Sequence, residues 1–289
     1  MTALLDPPKP DTPTPTVTTM RPRRRRGRIV LFVVMLGVAV VMLYPFWVMI
    51  YNSLMTEAQF LAGNGFSLTS WTGLTSVIPI GQEVLSSTII CSASIFIILV
   101  VGLPAGFAFA KLRFRASTVI FLILVSAMMV PLQAILMPEF VNVSKLGLTS
   151  GYYGAILVYA ALGTPFSVFL FTTYFRSVPD ELIEAGIVDG LGYFGVVWRL
   201  ILPVAVPAIA TVTVLQFIQI WDDLLVGLLF IQNTSERPIT VGIAVLSAGR
   251  TTSIPELMAA SIISALPAMV VYLGFQRYLV KGLTMGIDR

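Results

Sequence analysis

Six apolar runs, each about 20 residues or longer, leave this chain little choice of fold. They fall at residues 29–51, 84–110, 119–141, 153–175, 202–231 and 257–280. In a lipid core, such a run satisfies its backbone donors and acceptors only as a helix or within a closed barrel, and 20 uninterrupted apolar residues are the helical case. Composition agrees: 57% of the 289 residues are apolar and 11% are charged, against roughly 25% charged in a soluble domain. The reading is an all-α polytopic membrane protein with six transmembrane helices. A soluble enzyme is excluded.

The charges orient the spans. With the N-terminus inside, the inner segments hold Lys9, the six arginines of residues 21–28, Lys111, Arg113, Arg115, Arg176, Arg199, Arg277, Lys281 and Arg289. Only Lys145, Arg237 and Arg250 remain outside, beside Glu57, Glu83, Glu139, Glu236 and Glu256. That bias places both termini in the cytoplasm. Residues 1–28 read as a disordered basic cytoplasmic tail, residues 29–283 as the membrane domain and 284–289 as a C-terminal tail. The first apolar run is longer than a signal-peptide core and lacks a small-residue cleavage site, so it reads as a retained span. Pro104, Pro131, Pro165 and Pro267 predict kinks, while Pro203 and Pro207 sit in the first turns expected for the fifth span.

Absences narrow the chemistry. The chain has no histidine and one cysteine, Cys91. Cys/His metal sites and histidine-based nucleophile pairs or triads lack their residues, and no intrachain disulfide can form. The net charge of +4 comes from membrane-flanking arginines and does not indicate nucleic acid.

The segment between spans four and five, residues 176–202, is longer and more patterned than a connector requires. Ser177 is placed to cap a helix, with Asp180 three positions on and Pro179 in the first turn. Leu182, Ala185 and Ile187 or Val188 recur near helical spacing, opposite Glu181 and Glu184. Gly190 and Gly192 then stop the helix, residues 193–200 allow a second short one, and Pro203 opens the fifth span. Two short helices at the cytoplasmic face suit a docking element, and an amphipathic interfacial connector has the same spacing.

The stretch Glu184-Ala185-Gly186, Asp189-Gly190, Leu202-Pro203 and Pro207, with Arg199 at a commonly basic position, resembles the cytoplasmic loop of ABC-importer permeases. Gly186, Leu191 and Val197 depart from that family's alanine, alanine and phenylalanine. From residue 29 to 286 the chain is similar to the MalG-type permease subunit of carbohydrate ABC importers. The further similarity rests on Tyr51 to Leu54, Ala108 to Phe114, Phe175 to Leu182, Trp221-Asp222-Asp223 and Phe275 to Thr284. Asp222 replaces the usual asparagine, and the C-terminus ends Gly286-Ile287-Asp288-Arg289 instead of the usual glycine-alanine-valine-lysine-glycine.

The resemblance implies a MalG/MetI-like permease fold in the bacterial inner membrane and a non-catalytic translocation subunit. Its implied partners are a second permease, two ATPase subunits that bind ATP and Mg2+, an extracytoplasmic solute-binding protein and membrane lipid. The sequence itself has no phosphate-binding loop and no cofactor motif. In the implied cycle, ATPase closure drives the docking helices and turns the cavity outward. Glu184 orients the loop or pairs with a basic ATPase residue, while Asp189 and Gly190 shape the turn.

Gln216, Gln219 and Asp223, at i, i+3 and i+7 with Asp222 adjacent, form one polar face on the fifth span. Two readings stand: a cavity wall or partner-permease face, and a helix–helix network at the wet end of the span. Alternative functions are a permease of the same superfamily for a non-sugar solute, an ion-coupled secondary transporter, and a membrane enzyme using Asp222 and Asp223, for which no nucleophile–base pair can be assembled.

Overall fold

The structure, a computed structural model, describes residues 24–249 and 253–284, and among these it is helical with no strand. Most of the N-terminal tail and residues 285–289 lie outside the described residues. The chain divides into two units, Met1–Val48 and Met49–Arg289. The first holds most of α1 (Arg24–Ser53), which is apolar all round along its span. Arg24 to Arg28, expected in the tail, form its opening turns instead. Arginine is a good helix former, so the basic flank continues the helix.

The second unit begins with α2 (Glu57–Ala62), capped by Thr56 and Gln59 in a reciprocal capping box. Two single turns follow, α3 (Thr69–Thr72) and α4 (Leu74–Val77). The frame is α5 (Ile80–Lys111) and α8 (Tyr152–Arg176), which pack on one another more extensively than any other pair. Gly102 and Gly106, four apart on α5, permit the approach. A Cβ at Gly106 would lie 2.5 Å from Phe171 Cβ and 3.1 Å from the Thr172 backbone nitrogen. Phe107, Phe171 and Phe175 are buried beside it, Phe107 meeting Phe175 edge-on at 6.0 Å.

Between α5 and α8 the expected third span is broken. It consists of α6 (Ser117–Ser126), with a further turn to Met129, and α7 (Leu132–Lys145), bent by 102°. Pro131 sits at the break and holds Val130 extended, as a residue preceding proline prefers. Helices run unbroken through Pro104, Pro165 and Pro267.

After α8 come α9 (Asp180–Val188), α10 (Tyr193–Val196), a π turn at Val197–Ile201, α11 (Leu202–Val204) and α12 (Val206–Asp222). The expected fifth span, 202–231, is therefore not one helix. Residues up to Val204 form a leg set at 75° to α12, and α12 ends where Asp223 turns extended before α13 (Leu225–Phe230). The chain closes with α14 (Ile239–Ala248) and α15 (Ile254–Thr284), and the Trp221 indole N–H donates to the Ser264 carbonyl at 2.9 Å to fasten α12 to α15. Among the described residues, four helices are long and apolar enough to cross a membrane. With each bent pair taken as one span, there are six.

Candidate functional site

The segment from α8 to α12 is an elbow with defined fastenings. At its start, Ser177 does not cap α9. Its hydroxyl turns back to the Tyr174 carbonyl at 2.7 Å and closes α8, while Pro179 takes the N-cap position without a side-chain bond. A serine there can accept from an α9 N–H or donate back to an α8 carbonyl, and here it donates to the carbonyl. The α9 N-terminus is instead held from α5. The Lys111 ammonium donates to the Val178 carbonyl and to Asp180 Oδ1, each at 2.5 Å. This bond and the nearby charge hold the Asp180 carboxyl below the usual carboxylate range.

The other end of α9 is a Schellman turn. Asp189 is the C-cap and Gly190 adopts φ 85°, with Gly190 N–H on the Ile187 carbonyl and Leu191 N–H on the Gly186 carbonyl, both at 3.0 Å. Gly186 is where α9 meets the second leg: a Cβ there would stand 2.5 Å from Leu200 Cδ1 and 3.2 Å from Val196 Cγ2. The buried face is thus Ile183 and Gly186, with Leu182 half-buried, whereas Ala185, Ile187 and Val188 face outward. The expected apolar face was mis-phased because the closest packing position carries no side chain.

In the second leg, Pro203 has no N–H with which to continue the ladder onto Arg199, and the π turn with Leu202 N–H on the Val197 carbonyl precedes it. Pro203 therefore lies in the leg and does not open the span. Val206 does, with Pro207 in the first turn of α12 as expected. The Tyr174 hydroxyl donates to the Val204 carbonyl at 2.6 Å, tying the elbow's far end to α8. Glu184 and Arg199 are exposed, and neither makes a hydrogen bond or ion pair among the described residues. Beside them stand Val188, 86% exposed, Phe194, 77% exposed, and the exposed rings of Tyr193 and Trp198.

The polar face on α12 divides. Gln216 is buried and its amide faces the Gly163 carbonyl on α8 at 3.4 Å. Asp223 receives the Tyr159 hydroxyl at 2.9 Å and the Val226 N–H at 2.8 Å, so its carboxylate caps α13 and joins it to α8. Asp222 and Gln219 are both exposed. Gln216, Gln219 and Asp223 also line a small cavity with Leu132 and Tyr159.

At the Ile80 end lies a second polar recess of about 490 Å³, lined by Glu83, Thr234, Arg237 and Glu256. Glu83 is buried, its Oε2 accepts no hydrogen bond among the described residues, and it abuts Gly242, where a side chain would overlap the carboxylate.

The family described as binding-protein-dependent transport system inner membrane component matches residues 102–285. The chain belongs to it. Among similar proteins, the osmoprotective compounds uptake permease GgtD of Synechocystis sp. is 31% identical over 246 residues, covering 85% of this chain and 80% of the relative. The melibiose/raffinose/stachyose import permease MelC of Bacillus subtilis is 25% identical, covering 84% and 90%. In fold, the permease is similar to a chain of a bacterial ABC transporter for import of the acidic polysaccharide alginate, with TM-score 0.77, 22% identity, and 90% and 99% of the two chains covered.

In this permease the structure brings Glu184 to Gly190 together with Arg199 on one projecting elbow and sets Leu202, Pro203 and Pro207 at its bend. Gln216 and Asp223 are engaged inside the chain, apart from the elbow. Sequence reasoning missed Lys111 and Tyr174 as the elbow's fasteners. Their partners are 67 and 30 residues away, and the available signal was a basic residue closing a long apolar helix.

Proposed function

We propose that this permease is the translocation subunit of an ATP-driven carbohydrate importer of the bacterial plasma membrane, with both termini and the elbow in the cytoplasm. The observation that carries the reading is the elbow's outward face. Val188, Phe194 and Trp198 stand exposed beside unpaired Glu184 and Arg199. In water, such apolar exposure marks a surface that a partner covers. The partner of fitting chemistry is an ATPase subunit, since the chain has no phosphate-binding loop of its own. Two ATPase subunits would bind ATP and Mg2+, and a second permease would complete the pathway. An extracytoplasmic binding protein would deliver solute at the opposite face.

Alternating access follows from the mechanics. Closure of the ATPase dimer pushes on α9, and the elbow passes that displacement to α12, whose Gln219 and Asp222 are free to face a pathway or the second permease. The permease supplies no catalytic group.

Carbohydrate as cargo is supported by the named cargo of MelC and of the α-glucoside transport permease AglG of Rhizobium meliloti. A second reading, a non-sugar solute, is favoured by one observation, the osmoprotective-compound name of GgtD. The test is uptake by the complete complex in proteoliposomes with radiolabelled trehalose, melibiose and glycine betaine. ATP-dependent disaccharide uptake that survives an uncoupler and stops when the ATPase is disabled is the expected result. Uptake driven by an ion gradient without ATP would overturn the mechanism, and betaine as the only cargo would overturn the carbohydrate assignment.

A further inference from the structure

We infer that Lys111 is a positioning residue for energy coupling: its ammonium fastens the start of α9 to the end of α5, so that displacement of α9 reaches the membrane frame. The inference rests on the proposed role of the elbow and identifies how its motion enters the spans.

A lysine in the last turn of a helix can serve that helix's own terminal carbonyls. Lys111, the last residue of α5, instead gives hydrogen bonds to Val178 and Asp180, which flank Pro179 at the start of α9. Its side chain is 7% exposed while that of Asp180 is 75% exposed. The cation is therefore built into the packing and the acid approaches it from outside, which makes it a fixed post to which α9 is tied. Charge-assisted bonds are short and directional, and two of them from one ammonium fix position as well as distance.

What Lys111 is attached to matters equally. The post stands one turn beyond Phe107, in the part of α5 pressed against α8 through Gly106 and Phe171. Tyr174, on α8, holds the elbow's other end through Val204. The elbow is thus fastened at both ends to one helix pair. Without Lys111, α9 would keep its Schellman turn and its contact through Gly186 with the second leg. Its outward face would survive, but its connection to α5 would not. The expected defect is hydrolysis without transport, with assembly intact.

The experiment uses the complete complex in proteoliposomes, with radiolabelled trehalose or melibiose, whichever the parent imports. It reads sugar molecules imported per ATP hydrolysed, together with retention of the ATPase on pull-down. Lys111→Met keeps most of the buried stem and removes both bonds. It is expected to retain the ATPase and its hydrolysis while the ratio falls about tenfold or more, the scale of a lost charge-assisted bond. Asp180→Asn, on the exposed partner, leaves the Val178 bond and is expected to lower the ratio about two- to threefold. Lys111→Arg restores a donor and is expected to recover most of the ratio. An unchanged ratio in Lys111→Met overturns the inference, as does loss of the ATPase from that variant. If Lys111→Met fails to reach the membrane, an unchanged ratio in Asp180→Asn overturns it alone. Gly190→Pro run in parallel separates the two ideas. Normal uptake and assembly with that variant would sink the elbow's role itself, whereas its failure beside an unaffected Lys111→Met would remove only this inference.

Discussion

Gly190 carries the sharpest residue-level demand in the elbow. Its φ of 85° lies in the left-handed region and its N–H closes onto Ile187. Space is not the constraint, since nothing lies within 4 Å of where a β-carbon would stand. Gly190→Ala should therefore lower stability by about 1–2 kcal/mol, the cost of a side chain in that region, and Gly190→Pro should cost more because it also removes the donor. Gly186 is the reverse case. Alanine there gains up to ~1 kcal/mol of helix propensity but must displace Leu200 Cδ1. Because that atom ends a flexible, half-buried side chain, the two effects nearly cancel. Thermal unfolding of the purified complex should show Gly186→Ala within a few degrees of the parent and Gly190→Pro well below it. A large loss with Gly186→Ala would mean that Leu200 cannot yield.

Asp180 adds a pH dependence. Its carboxyl is depressed by Lys111, so its contribution is present above the ordinary carboxylate value of about 3.9 and is lost as pH falls through the lower folded value. Hydrogen-exchange protection at the start of α9 should hold from pH 7 to 5 and fall only under stronger acid. Loss already between pH 7 and 6 would contradict the pairing. Asp189-Gly190 was legible in sequence because a positive φ selects glycine locally. The turn of Ser177 back onto α8 and the 67-residue reach of Lys111 were not, since one is decided by competition between an α8 carbonyl and an α9 N–H and the other by tertiary packing.

Among the elements, the α5–α8 pair sets the frame and Gly106 sets its closeness. Gly106→Ala should destabilise the complex by about 1–3 kcal/mol, because the clash is with backbone and Phe171 Cβ and an overpacked core relaxes poorly. Gly102→Ala should be milder, its nearest neighbour being Ser167 Cβ at 3.3 Å. Thermal melts of both variants check the order, and equal losses would contradict the packing. Apolar length foretold six hydrophobic segments, and proline position foretold the break at Pro131 but equally kinks at Pro104, Pro165 and Pro267, through which the helices run unbroken. They did not foretell the 75° bend before α12. Leu202 to Val204 read as apolar as the span that follows, and only the missing donors of Pro203 and Pro207, combined with the Tyr174 bond, distinguish leg from span. The same limit applies to α12's far end, where the sequence left Asp223 between a cavity wall and a helix–helix network, and the structure pairs it with Tyr159 and Val226.

At the scale of the molecule, we propose from the basic residues concentrated at one end of the spans that Gly190 faces the cytoplasm and Ser235 the outside. Single cysteines at these positions on a Cys91→Ser background should label from opposite sides of intact cells, and external labelling at position 190 would reverse the proposed orientation. We propose that the elbow joins an ATPase to a transport pathway. Reconstituted sugar uptake, measured beside pull-down of the ATPase in Gly190→Pro and Glu184→Lys after matching membrane abundance, tests it most directly. Both variants should insert normally yet lose ATPase association or ATP-driven uptake, with Gly190→Pro the more severe because it disrupts the turn and not one contact. Normal assembly and normal uptake in both would show that residues 176–202 are only a connector between spans.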